Sequence, residues 1–190
     1  MKSLFKILIW ITFLTIYIPN LSASNYNIET VRNKWLEWTN SERSNYWIKN
    51  LTYNAFLNST SQNWSDYSKT KWYIDHKRPG QMLYYDYKKI LSWFGSKGVN
   101  FKKINSATFS ESIWWEVYRC NKKDCTQDLI SSVRKTFNFY MKEKWKKYSP
   151  HYSSIIGKNF NQIWLWISID DKKWRYYLTV HYATEVLAKK

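Results

Sequence analysis

The chain reads as an α/β protein of the α+β kind, with helices first, strands last and one helix between two groups of strands. Two observations carry that reading. Phe160 to Ile169 and Arg175 to Ala183 are extended runs joined by a turn over Asp170 to Lys173, which is a hairpin signature. Upstream, apolar residues recur at helical spacing in several stretches, and a long amphipathic stretch separates an earlier extended run from the hairpin. Together they argue for an antiparallel sheet covered by helices. A length of 190 residues suits one domain, and 44% apolar residues suffice for a core.

The elements follow in order. Ser24 to Ile28 is a polar lead-in. A first helix is expected from Glu29 to about Tyr46, with Val31, Trp35, Trp38 and Arg43 on one face, and a second from Tyr53 to Lys69, capped by Asn54, with Phe56, Leu57, Trp64 and Tyr67 in register. Pro79 and Gly80 then make HKRPG a loop. A third helix is expected from Tyr84 to Lys97, turned inward on Tyr87, Ile90, Leu91 and Phe94 and stopped by Gly98. Val99 to Ile104 and Thr108 to Tyr118 read as extended. The amphipathic helix runs from Thr126, as its cap, to Lys144, with Leu129, Val133, Phe137, Tyr140 and Met141 in a stripe and Asp128 near its positive end. One short helical turn is expected around His151.

Residues 1–23 have the layout of a signal peptide: Lys2 and Lys6 form a charged region, Ile7 to Ile18 an apolar one, and Leu21-Ser22-Ala23 a cleavage site. A single secreted domain over 24–190 is therefore expected; the same leader left uncleaved would anchor the chain at the cell surface. Export agrees with the two cysteines. Cys120 and Cys125 could close a small disulfide loop in an oxidising compartment, free thiols being the alternative, and with no CxxC they are a poor zinc signal. The formal charge is +16, or +14 once Lys2 and Lys6 leave with an acid-free leader. Such a chain is expected to be attracted to anionic envelope lipids, glycans or peptides, a merely solvated basic surface being the alternative. Its lysines are spread rather than gathered into an arm, which speaks against nucleic acid as a specific partner.

Glycine usage near 7% would give about 13 glycines in a chain this long, yet there are 4 Gly and 13 Trp. Several tryptophans stand where glycine makes better physical sense. Trp47 falls between two expected helices, Trp72, Trp145 and Trp174 lie among lysines at element ends, and Trp164 and Trp166 would crowd one sheet face. The expectation is that many are glycine in the organism, from a UGA codon read as glycine. Trp64 and Trp93 fit helix cores and are expected to be genuine. An aromatic-rich carbohydrate binder is the alternative.

Chemistry centres on Phe109 to Cys120, FSESIWWEVYRC. Glu111 is its one acid able to point inward, and a carboxylate on a buried strand is paired, metal-bound or catalytic. Ordered along the chain, NSERSNYW, LNSTSQNWSDYSKT, His76 in HKRPG, Glu111 in SES, His151 in PHYSSII and YYLTVHYAT resemble the CAP superfamily in its bacterial, SCP-like form, over Val31 to Thr184. The resemblance implies a three-layer α-β-α sandwich around a central antiparallel sheet. It also implies a cleft with two histidines, His76 and His151, and two glutamates, Glu111 and, near the end of the long helix, Glu143. In several members such histidines hold zinc or another divalent metal; histidines hydrogen-bonded to glutamates with no metal are the alternative.

His181 alternates with apolar neighbours on the last strand and is expected in the core rather than the site. Ser110 and Ser112 flank Glu111, but no GxSxG turn, paired Asp or phosphate-cradling glycine loop is visible. The leading expectation is an extracellular binding or interaction module working through the His/Glu cleft. The alternatives are a metal-dependent, peptidase-like hydrolase with Glu111 or Glu143 as general base, and the carbohydrate binder.

Overall fold

The computed structural model describes residues 25–187. The expected leader lies outside them. Asn27 opens helix α1 (Ile28–Ser44), its side chain accepting from the Thr30 N–H at 2.9 Å. Val31, Trp35, Thr39 and Arg43, spaced four apart, form its buried face. A two-residue strand β1 (Thr52–Tyr53) follows, taking up Tyr53, where the second helix was expected to begin. Asn54 then caps a 3-10 turn, Ala55–Leu57, that leads into α2 (Asn58–Lys71). Helix α3 (Tyr87–Ser96) starts later than expected because Asp86 takes the cap, accepting from the Lys89 N–H, and so leaves Met82 to Tyr85 in a loop.

Past α3 the extended segment narrows to a two-residue strand β2 (Asn100–Phe101), followed by β3 (Phe109–Val117). Helix α4 (Thr126–Met141) has Thr126 inside its first turn rather than at its cap. Asp124 supplies the side-chain oxygen there, accepting from the Thr126 N–H at 2.9 Å. A 3-10 turn, Lys142–Trp145, replaces the expected end of α4, and Pro150 at the first position starts the short α5 (Pro150–Ile155). Strands β4 (Gln162–Asp170) and β5 (Arg175–Ala183) form the expected hairpin, and a short β6 (Val186–Leu187) pairs with β2.

The main sheet runs β1-β4-β5-β3. Its three long strands are antiparallel, whereas β1 is parallel to β4, so the sheet is mixed rather than wholly antiparallel. Register divides its faces. Tyr176, Leu178, Val180 and Tyr182 meet Val31, Trp35, Leu129, Val133, Phe137 and Tyr140 from α1 and α4. The opposite face carries Phe109, Glu111 and Ile113 beside Ala183, His181 and Thr179, under α2 and α3. That is the expected α-β-α order of layers. The Cys120–Cys125 disulfide, Cα atoms 5.8 Å apart, ties the end of the β3 segment to the start of α4. Among the described residues no helix is long and apolar enough to cross a membrane.

Candidate functional site

Glu111 sits in the middle layer, directly opposite His181 on the neighbouring strand. Its carboxylate is fully enclosed and meets four donors. Arg78 is bidentate, with Nη1 at 2.9 Å from Oε1 and Nη2 at 2.5 Å from Oε2; His76 Nδ1 lies 2.8 Å from Oε1 and His181 Nε2 2.8 Å from Oε2. Burial alone would raise the Glu111 carboxyl, but the Arg78 charge and the hydrogen bonds from His181, His76 and Arg78 outweigh it and hold the group well below the usual carboxylate range. Glu111 is therefore an acceptor, so His76 points a protonated Nδ1 at it and keeps Nε2 out of that bond. Burial lowers the His181 pKa despite the opposing pull of Glu111, and Thr60 Oγ1 lies 3.1 Å from its other nitrogen. His181 is buried and hydrogen-bonded as the strand pattern predicts, but it does not stand apart from the site as expected: it braces Glu111 from behind.

Local sequence explains how Arg78 reaches this point. Pro79 and Gly80 form a tight turn closed by the Gln81 N–H on the Arg78 carbonyl at 3.0 Å, with Gly80 at φ 81°. The guanidinium lies in the corner of two indoles that meet edge to face, 3.6 Å from the Trp64 ring and 4.2 Å from that of Trp93. Trp64 is itself fixed by its Nε1–H on the Asp75 carbonyl at 2.9 Å.

Glu143 does not point to solvent with its lysine neighbours. From the 3-10 turn after α4 it accepts the His151 and Tyr152 backbone N–H groups at the start of α5, at 3.0 and 3.2 Å, and His151 Nδ1 at 2.7 Å. His151 stacks flat on Tyr140, ring centres 4.1 Å apart. It too directs Nδ1 at a carboxylate and leaves Nε2 free of it. The C-terminal side of α5 is held by Arg43, fully buried, whose guanidinium donates to the carbonyls of Lys49, Ile155, Gly157 and Phe160 at 2.8 to 3.0 Å.

Tyrosines join the halves. Tyr84 and Tyr85 stand edge-on to His76, at 5.3 and 5.1 Å. Burial raises the Tyr84 hydroxyl, with Asp75, Glu111 and Tyr148 adding to it, and Tyr84 in turn adds to the rise that burial imposes on Tyr140. These hydroxyls remain donors at neutral pH. Beside them runs a groove of about 480 Å³ lined by Tyr85, Ser110, Tyr148, Pro150, Ser154 and Phe160. Tyr148 stands exposed at this groove, and Met82, Leu83 and Tyr84 are exposed in the loop before α3.

The donors do not make a catalytic zinc set, which takes three protein ligands and an open position. Every strong acceptor position of Glu111 is spent on Arg78, His76 and His181, and Glu143 accepts three hydrogen bonds from His151 and Tyr152. Two imidazole nitrogens remain, and among the described residues no group of three or more His, Cys, Asp or Glu is gathered for a metal. Sequence reasoning brought His76, His151, Glu111 and Glu143 forward, and it missed Arg78 and Arg43. The signal for Arg78 was its place two residues after His76 and just before Pro-Gly; Arg43 was visible only as a cation on an otherwise buried helix face.

No protein-family model and no curated protein matches the sequence. Solved structures do match in shape. An outer surface protein from Borrelia burgdorferi superimposes with a TM-score of 0.59 at 9% identity, covering 84% of this chain and 96% of that one. BmVAL-1 does so with a TM-score of 0.53 at 11% identity, covering 88% of this chain and 83% of that one. An extracellular protein with an SCP domain from Bacillus anthracis follows at a TM-score of 0.49 and 13% identity, over 83% of this chain and 41% of that one. What the chain shares with the Borrelia burgdorferi protein and BmVAL-1 is the fold, an α-β-α sandwich.

Proposed function

We propose that the protein is an extracellular binding module that holds an anionic envelope glycan along the tyrosine-lined groove beside His76 and His151. The observation that carries this reading is the state of the two carboxylates. A general base must be free to take a proton, whereas Glu111 is held as an ion by a buried guanidinium and two imidazoles, and Glu143 is tied to the His151 ring and two backbone N–H groups. What faces outward is a recognition surface: the exposed Tyr85 and Tyr148 rings along the groove, beside two imidazoles that the carboxylates orient. Tyrosine offers an apolar face for a sugar ring together with a hydroxyl for its polar groups. The net charge of +16 favours an anionic partner. An extracellular place agrees with the expected leader, with the disulfide and with the outer-surface location of the Borrelia burgdorferi protein that shares the fold.

The test is retention on immobilised envelope glycan, at low and high salt, for the chain and for a Tyr85→Ala, Tyr148→Ala variant. The chain should stay bound in high salt, and the variant should bind roughly tenfold more weakly, as for loss of a stacking contact at the centre of a site. Retention that disappears with salt would reduce the interaction to charge alone. Equal binding by the variant would place the ligand elsewhere.

A further inference from the structure

Left-handed backbone occurs among the described residues at Gly80 and Gly98 and at three others, all tryptophan: Trp47 at φ 55°, Trp72 at φ 64° and Trp174 at φ 54°. An L side chain in this region brings Cβ against its own carbonyl, so glycine is the usual occupant and asparagine or aspartate the usual substitute. A bulky aromatic residue at all three is not what the backbone asks for.

Each position has a job that glycine does elsewhere in this chain. After α3, the Val99 N–H bonds the Phe94 carbonyl and the Gly98 N–H the Gly95 carbonyl, both at 3.0 Å, a Schellman close with Gly98 left-handed. After α1 the same pair recurs: the Ile48 N–H bonds the Arg43 carbonyl and the Trp47 N–H the Ser44 carbonyl, both at 3.1 Å. Trp47 therefore occupies the place of Gly98, and its side chain is 98% exposed. Trp72 is the left-handed cap of α2, its N–H on the Lys69 carbonyl. Trp174 is the last loop residue before β5, where a left-handed residue closes the turn. The indole of Trp72 touches Lys173 at the surface, a contact that does not require that backbone.

Other tryptophans do work that only an indole does. Trp64 and Trp93 clamp Arg78, and Trp35 is enclosed between Phe137 and Tyr140 in the core. Trp145 is 86% exposed, but its backbone is not left-handed, so the geometry makes no demand there.

We propose that residues 47, 72 and 174 are glycine in the protein the living cell makes, through a UGA codon read as glycine. Peptide mass spectrometry of the protein from its own cells, set beside the codons of its gene, tests this. UGA at all three codons, with each peptide lighter by the difference between a methylindole side chain and a hydrogen, is expected, as is UGG with an indole mass at 64 and 93. UGG at any of the three, or an indole mass there, would overturn it. Recombinant protein gives an independent reading. Trp47→Gly, Trp72→Gly and Trp174→Gly together should raise the thermal midpoint by several degrees, whereas Trp64→Gly should lower it. A triple variant no more stable than the chain would remove the backbone argument.

Discussion

The two histidine–glutamate pairs reach the same arrangement, Nδ1 on a carboxylate, by different physics. On the His76 side the carboxylate is buried as an ion and needs a cation, which Arg78 supplies from the corner of two indoles. On the His151 side the carboxylate lies nearer the surface and is held by two backbone N–H groups at the start of a short helix; the nearby buried cation, Arg43, serves carbonyls instead. The first pair is thus a closed charge cluster within the sheet layer, the second an extended helix cap. The first should be costly to disturb and sensitive to acid; the second should be cheap to disturb and tunable.

The largest effect expected from this contrast is at Arg78. Arg78→Met leaves the Glu111 carboxylate buried without its cation and should cost about 3–5 kcal/mol, read from chemical denaturation. Replacing both charges, as Arg78→Met with Glu111→Gln, should recover part of that loss, since a buried pair removed together leaves no stranded ion. If Arg78→Met costs about 1 kcal/mol or less, on the scale of a surface ion pair, Glu111 is not the buried ion the geometry implies and the contrast fails.

Acid should separate the halves next. The Glu111 pKa is depressed in the folded chain, so its contribution is complete above the unfolded value of about 4.3 and is lost as pH falls below it. His181 is depressed too: the unfolded imidazole gains a proton near pH 6.5 while the folded one does not, so stability falls as pH drops below about 6.5. Thermal midpoints measured from neutral pH downward should decline in both ranges. The double variant at Arg78 and Glu111 should flatten the decline below about pH 4.3, measured against its own neutral value. An unchanged acid slope there would mean that other carboxylates carry it.

The sequence made the elements legible where periodicity is strong. α1, α4, β3 and the β4–β5 hairpin all sit within a few residues of expectation, because each buries a repeating apolar face. Strand β1 was not legible: two residues carry no period, and its parallel pairing with β4 depends on where the chain returns more than a hundred residues later. The late start of α3 was readable in Asp86, which outcompeted the two tyrosines before it as a cap. At the site, Glu111 betrayed itself as an acid on an apolar strand, and the histidines and Glu143 came through resemblance. Arg78 and Arg43 did not, since a buried guanidinium is defined by acceptors distant in sequence: Glu111 for one, and the carbonyls of 155, 157 and 160 for the other.

The smallest expected effect on stability is also the sharpest on chemistry. In Glu143→Gln the amide oxygen can still accept the His151 and Tyr152 backbone N–H groups, so the cap survives and the loss should stay near about 1 kcal/mol. The amide nitrogen then faces Nδ1 and can only donate to it, which moves the imidazole proton from Nδ1 to Nε2. Nitrogen-15 NMR of the ring should report that exchange of tautomer. The outward nitrogen would change from acceptor to donor, and any ligand that gives a hydrogen bond to His151 should be lost without the domain unfolding. The same substitution at Glu111 cannot act so cleanly, because any orientation of the amide sets its NH2 against Arg78, His76 or His181. A His151 proton that stayed on Nδ1 in the variant would show that Glu143 does not set the tautomer, and that stacking on Tyr140 orients the ring instead.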